Sequence, residues 1–138
     1  MIVLAYDHGG FELAQEIKKL FACKDLGAQR FDAEDDFPPI VERAVKEVIK
    51  SKGIGIIICG SGIGVCIAAN RHKGIRAALC HSAEYAKMAR LHNDANVLCL
   101  GGRYVSVKEA QEIITTFLNT QFLGGKYQKR MAQIDKIL

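Results

Sequence analysis

The 138-residue chain reads as an open, doubly wound parallel α/β sheet, Rossmann-like, with five strands, helices on both faces and one extra C-terminal helix. Three observations predict this. Short apolar runs and helical periodicities alternate five times, the pattern of repeated βα units. The runs are continuous rather than alternating, as in strands covered on both faces. Residues that do not belong in a core stand at the ends of those runs: Asp7-His8 after the first, Cys59-Gly60-Ser61 after the third, Cys80-His81 after the fourth and Arg103 after the fifth. In such sheets ligands bind at the carboxyl ends of strands.

Ile2-Val3-Leu4-Ala5 is the first strand, ended by Asp7-His8-Gly9-Gly10. Leu13, Ala14, Ile17, Leu20 and Phe21 then recur at helical spacing. Gly27 punctuates the chain, and the second strand is expected at about Gln29 to Phe31. Asp32 to Asp36 is an acidic loop. Pro38-Pro39 opens a second helix, with a core stripe of Ile40, Val41, Ala44, Val45, Val48 and Ile49. Gly53 and Gly55 lead into the central strand, Ile56-Ile57-Ile58-Cys59. A glycine turn follows, and a helix is expected from Ile63 to about Asn70, ended by Lys73-Gly74. Ile75 to Cys80 is the fourth strand. Ser82 caps a helix across Tyr85, Met88, Ala89 and Leu91 that stops at His92-Asn93-Asp94. Asn96 to Leu100 is the fifth strand, followed by Gly101-Gly102-Arg103. Ser106-Val107-Lys108-Glu109 is a capping box for a helix carrying Ala110, Ile113, Ile114, Phe117 and Leu118. After the Gly124-Gly125 break, a last helix shows Tyr127, Met131, Ile134 and Leu138 on one face and Lys126, Lys129, Arg130 and Gln133 on another. There is no internal repeat, low-complexity segment or linker. Residues 1–138 are therefore expected to form one domain, with 124–138 a helix suited to packing on a partner subunit.

A chain of this length can bury its own core. Its 49% hydrophobic and 25% charged residues fit a globular rather than a disordered protein. The net charge of +4 suits a mildly basic surface or a phosphorylated small substrate, not a nucleic-acid partner. Five cysteines, an odd number with no Cys-x-x-Cys pair, argue against a disulfide framework or a structural zinc. They favour a cytosolic setting. The N-terminus lacks a basic region, and Asp7 comes too early for a signal peptide. No apolar run reaches the roughly 20 residues of a membrane span.

The chemistry centres on Ile56-Ile57-Ile58-Cys59-Gly60-Ser61-Gly62-Ile63-Gly64-Val65-Cys66. Strand, glycine turn and helix together present unpaired N–H groups and a positive dipole end to an anion. The turn is not a dinucleotide fingerprint, since the third position counted from Gly60 is Val65; nor is it a Walker loop, since no Lys-Ser or Lys-Thr follows. A compact anion remains: a phosphate, a carboxylate or the oxygen of an enediolate. The alternative is a tight turn without a ligand. Cys59 sits where the same field would stabilise a thiolate, whereas Cys23, Cys66, Cys80 and Cys99 stand at apolar positions as small core hydrophobes. A structural role for Cys59 stays open on pattern alone. His92-Asn93 fits either a partner for the helix dipole or a site, and Asp7-His8 either turn chemistry or a site. None of the four histidines has the i, i+4 spacing with a carboxylate that marks a metal. Lys126, Lys129 and Arg130 form either a solvated face or a set of cations that reaches a neighbour's site.

Taken together, Asp7-His8-Gly9-Gly10-Phe11, Asp36-Phe37-Pro38, Ile58 to Gly64, Ala68-Ala69-Asn70-Arg71, Gly74-Ile75-Arg76-Ala77, Arg90 to Leu98 and Gly124-Gly125 with Arg130 beyond resemble the ribose-5-phosphate isomerase B family. That family belongs to a wider sugar-phosphate isomerase group that includes galactose-6-phosphate isomerases, and the likeness covers almost the whole chain. The resemblance implies interconversion of ribose 5-phosphate and ribulose 5-phosphate through an enediolate, without metal or cofactor. It implies that Cys59 is the base that moves a proton between C1 and C2, assisted by Ser61. Gly60, Gly62, Ile63 and Gly64 would supply N–H groups to the enediolate oxygen. His92 would open the furanose ring, and Asn93, Asp7 and His8 would bind the sugar. Lys126 and Arg130 would clamp the phosphate from the second subunit of a cytoplasmic homodimer or homotetramer. No nucleic acid or membrane partner is implied.

There are departures. Lys126-Tyr127 replaces the Arg-His pair common in the family, and a lysine cannot offer a bidentate fork to phosphate. The acidic loop is short for the family. The galactose-6-phosphate branch usually lacks the cysteine at 59, so its presence favours the pentose enzyme. A hexose-phosphate isomerase (allose 6-phosphate or galactose 6-phosphate) and a non-catalytic sugar-phosphate-binding protein are the alternatives.

Overall fold

The structure, a computed structural model, describes residues 1–138. It has strands β1 (Ile2–Tyr6), β2 (Lys24–Asp25), β3 (Ile54–Cys59), β4 (Ala77–Leu79) and β5 (Val97–Gly101). Its helices are α1 (Phe11–Leu20), α2 (Phe37–Ser51), α3 (Ile63–Ala69), α4 (Ala83–Asn93), α5 (Val107–Asn119) and α6 (Lys126–Asp135), and a 3-10 turn spans His8–Gly10. The strands form one sheet in the order β2-β1-β3-β5-β4, every pairing parallel. The doubly wound parallel fold expected from the alternation is the one observed.

The continuous apolar runs are explained by burial on both sheet faces. Leu4, Tyr6, Ile56, Ile58, Leu98 and Leu100 point to one side, where they meet α1, α4 and α5. Val3, Ala5, Ile57, Val97 and Cys99 point to the other, where they meet α2 and α3. This period-two sorting is what a strand does to successive side chains.

Four elements differ from expectation. The second strand is Lys24–Asp25, not Gln29 to Phe31; it is a two-residue edge paired with β1, and both residues are exposed, so no apolar run marks it. The fourth strand is only Ala77–Leu79; Ile75 is buried, but outside the ladder. In α4 the residues against the sheet side are Ala86 and Ala89, while Tyr85 is exposed. Small residues there let α4 and α5 approach closely. In α6 only Met131 is buried; Ile134 and Leu138 are exposed. Ile49, Leu20 and Leu118 likewise lie at the exposed margins of their helices. The caps behave as expected: Ser82 Oγ accepts from the Tyr85 N–H, and the Ser106–Glu109 box is closed in both directions. No helix is long and apolar enough to cross a membrane.

Candidate active site

The chain leaves β1 for β2 on one side and returns to β3 on the other, so the winding reverses between β1 and β3. Such a reversal opens a crevice at the carboxyl ends of the two strands. Asp7-His8 leaves β1 there and Cys59-Gly60-Ser61 leaves β3. The two turns touch: the Asp7 N–H donates to the Ile58 carbonyl at 3.3 Å, and a Cβ on Gly9 would lie 2.5 Å from the Gly60 nitrogen. Glycine at position 9 is what lets the turns meet. The third wall comes from the turn after β5, whose Gly102 and Arg103 amides donate to the carbonyls of Cys59 and Gly60 at 2.8 and 3.1 Å. The Arg103 guanidinium lies against Gly60, its Nη1 2.9 Å from where a Cβ would stand.

These turns enclose a cleft of about 410 Å³. Cys59, the last residue of β3, is only 6% exposed but lines this cleft. The Gly62 N–H donates to its sulfur at 3.1 Å. Gly62 is the N-cap of α3 with φ +80°, and a side chain on it would strike Leu79 and the Leu100 backbone. The Ile63 N–H donates to Ser61 Oγ at 3.2 Å. Two of the turn's amides are thus already engaged, contrary to the expectation that Gly62 and Ile63 would serve an oxyanion, and the Ile63 side chain points to solvent. The amides of Gly60, Ser61 and Gly64 donate to nothing within the chain.

Across the cleft, Asp7 is buried and caps the 3-10 turn, its Oδ1 accepting from the Gly9 N–H at 2.9 Å. Burial pushes its carboxyl up, and the neighbouring His8 opposes the shift. His8 Nδ1 bonds Asp35 Oδ1 at 2.7 Å. That hydrogen bond is the main reason His8 is raised above its ordinary value; burial and the Arg103 charge pull the other way, and Asp7 adds to the rise. Asp7, His8 and Asp35 each bring one potential ligand atom within 4.8 Å of the others, the one such grouping in the chain. Only one pair of the three is hydrogen-bonded, His8 with Asp35; Asp7 Oδ2 stays 3.9 Å from His8 Nδ1.

Of the residues singled out in the sequence, Asp7, His8, Cys59, Gly60, Ser61 and Gly64 line the cleft together. His92, Asn93, Lys126 and Arg130 do not. They form a second cluster where α4 ends. The His92 ring stacks on Tyr127, with centroids 4.5 Å apart and planes at 14°. Lys126 Nζ and Arg130 Cζ lie 5.3 and 5.7 Å from the centre of the same Tyr127 ring. Asn93 Nδ2 approaches Met131 Sδ at 3.8 Å. Asp94, with φ 44°, ends α4 and holds Arg90 at 3.0 Å and Arg76 at 3.1 Å; Arg76 also binds Asp135 of α6 at 2.9 Å. A separate, largely apolar cavity of about 480 Å³ lies beneath α6 and contains no thiol.

Five cleft residues were not among the candidates: Asp35, Asp36, Phe37, Arg103 and Tyr104. Arg103 carried a usable signal, a lone cation at the end of a strand. Asp35 carried none, since the acidic loop reads as solvated until folding turns it inward. The other thiols divide by burial. Cys80 and Cys99 are buried and Cys23 and Cys66 half-buried, all five being free. A hydrogen bond from Cys99 lowers Cys66 to about 7, whereas burial raises Cys80 to about 12.

Residues 2–134 match the family model described as Ribose/Galactose Isomerase. The probable ribose-5-phosphate isomerase B of Mycoplasma genitalium is 44% identical over 144 residues, covering 99% of this chain and 93% of that protein. The crystal structure of a ribose 5-phosphate isomerase from Thermotoga maritima superposes with a TM-score of 0.93 at 39% identity, covering 98% of this chain and 97% of that one. Ribose-5-phosphate isomerase B from Mycoplasma genitalium with bound ribulose 5-phosphate gives a TM-score of 0.90 at 41% identity, covering 99% and 94%.

Proposed function

This chain belongs to the ribose/galactose isomerase family, and on that premise we propose that it is an aldose–ketose isomerase interconverting D-ribose 5-phosphate and D-ribulose 5-phosphate through an enediolate. One observation carries the reading: Cys59 lines a cleft beside three backbone amides that have no partner in the chain. A base next to preorganised donors is the minimum needed to move a proton off carbon. The donors hold the negative oxygen that results.

In the proposed mechanism Cys59, as thiolate, takes the C2 proton of the open-chain aldose, and the electron pair moves onto O1 to give the enediolate. The same sulfur returns the proton to C1, which leaves the ketose. Ser61 assists by moving a proton between O1 and O2; its oxygen accepts from Ile63, which leaves its hydroxyl proton for the substrate. The amides of Gly60, Ser61 and Gly64 hold the enediolate oxygen. Asp7 and His8 bind the sugar. Arg103 offers the phosphate a planar, always-charged fork from within the cleft. No step calls on a metal or cofactor.

His92 opens the furanose ring, Asn93 binds the sugar, and Lys126 and Arg130 hold the phosphate. Because this group lies outside the cleft of its own chain, we assign it to the cleft of a second copy, in a homodimer or a tetramer built from such pairs. The exposed Ile134, Ile137 and Leu138 on and after α6 support such packing. The five free thiols support a reducing compartment, the cytoplasm.

An isomerase assay on ribose 5-phosphate and allose 6-phosphate in parallel, with a chelator present, tests this. Turnover of the pentose phosphate in preference to the hexose phosphate is expected. Preference for the hexose would move the enzyme to the other branch. Thermal stabilisation by the sugar phosphate without product would leave a binding protein.

A further inference from the structure

The acidic stretch Asp32 to Asp36 has no part in the mechanism above, yet two of its members, Asp35 and Asp36, line the cleft. Asp32 folds the stretch into a turn: its side chain accepts from the Glu34 N–H at 3.0 Å and its carbonyl from the Asp35 N–H at 3.1 Å. Asp35 is thereby turned inward, its side chain only 15% exposed. Its Oδ1 receives two donors from the same residue, His8 Nδ1 at 2.7 Å and the His8 backbone N–H at 3.2 Å. The His8 ring also meets Phe31 edge-on, with centroids 6.4 Å apart, and Phe31 in turn packs on Phe11. Oδ2 of Asp35 is buried without a hydrogen-bond partner. Such an orphaned oxygen costs stability and calls for an explanation.

We propose that Asp35 is the positioning residue of His8: it keeps the proton on Nδ1 and fixes the ring so that Nε2 is the atom presented to the sugar phosphate. Which nitrogen of an imidazole is protonated is set by the hydrogen bond the other side makes. Here Nδ1 is committed to Asp35, and Nε2 bonds nothing within the chain. The backbone bond to the same oxygen fixes the main chain of the 3-10 turn as well as the ring, so one carboxylate sets both the place and the tautomer of the ligand. The raised affinity of His8 for protons has the same hydrogen bond as its main cause. This role rests on the isomerase reading of the cleft.

The test combines kinetics with a spectroscopic signature. Asp35→Ala is expected to raise KM for ribose 5-phosphate about tenfold while kcat changes less, the loss of one charge-assisted hydrogen bond. Asp35→Asn keeps the shape and an oxygen acceptor, and should restore most of that loss. In a His8→Ala background, Asp35→Ala should add no further rise, because its effect passes through the ring. Nitrogen-15 NMR of the neutral His8 ring should show Nδ1 protonated in the wild type and a shift toward Nε2 protonation in Asp35→Ala. An unchanged tautomer in Asp35→Ala overturns the proposal. So does a further KM rise without His8, which would put Asp35 on the substrate itself. The tautomer is read without substrate, so it decides the role of Asp35 even if the wild type failed to turn over ribose 5-phosphate and the isomerase reading fell.

Discussion

Cys59 and Cys66 show how much one residue's surroundings decide. Both are thiols near the start of α3, but only Cys59 lines the cleft. Replacing Cys59 with Ala removes the proposed base while leaving the β3 ladder untouched. Turnover should fall by about 10²–10⁴-fold, with the thermal melt and substrate affinity nearly unchanged; near-normal turnover would take Cys59 out of the mechanism. Cys66 is predicted to be the more reactive bystander. At neutral pH a small alkylating reagent should label it before Cys80 and Cys99, since Cys66 is lowered to about 7 while burial raises Cys80, and the pairing with Cys66 together with burial raises Cys99. Peptide mass spectrometry over a time course reads that order. His8 supplies a pH dependence. Its folded value is raised above the unfolded value of about 6.5, chiefly by the Asp35 hydrogen bond. The pairing therefore adds its full stability below about pH 6.5 and loses it as pH rises through the raised value. The difference in Tm between wild type and Asp35→Asn should be greatest near pH 5 and shrink toward pH 9; a difference that grows with pH would contradict this sign.

At the scale of elements, α6 is held by little. It sits outside both apolar clusters, buries only Met131, and is tied to the body by the Arg76–Asp135 bridge. That bridge is half-exposed at Asp135, so Asp135→Ala should cost under about 1 kcal/mol of stability. Its effect on binding should exceed its effect on folding, because α6 carries Arg130 and Lys126. A rise in KM with an unchanged melt is expected; the reverse would mean the helix has only a structural part. The Ser106 capping box is the opposite kind of device. Ser106→Ala should cost about 1 kcal/mol through α5 and leave the kinetics alone.

At the scale of the whole molecule, the two residue groups assigned to one reaction lie in different places on one chain. If the site is shared, two inactive variants carry complementary defects. Mixing Cys59→Ala with His92→Ala, after dissociation and reassembly, should regain activity, because a mixed pair holds one cleft with both residues intact. No recovery would mean that each chain works with its own His92. His92→Ala should also lose more activity on ring-closed ribose 5-phosphate than on ribulose 5-phosphate, which has no furanose ring to open.

The fold and the place of Cys59 at the mouth of a glycine turn were legible in the chain because both rest on local chemistry; the proposed role of Cys59 as base came from the family resemblance. Continuous apolar runs specify strands buried on both faces, and a glycine turn after such a run specifies a strand-to-helix turn with Cys59 at its mouth. The capping box at Ser106 and the Gly124-Gly125 break are equally local. What failed to show was set by neighbours distant in sequence. The two-residue β2 needs no apolar run because only β1 pairs with it. Asp35 lies 27 residues from the His8 it binds, and His92 finds Tyr127 only once α6 folds back on α4. Which of the turn's amides stay free was decided by the folded positions of the Cys59 sulfur and the Ser61 oxygen, which claim two of them. Sequence fixes periodicity and backbone preference, since these act within a few residues; only tertiary packing decides which polar groups meet, because their partners come from other turns of the chain.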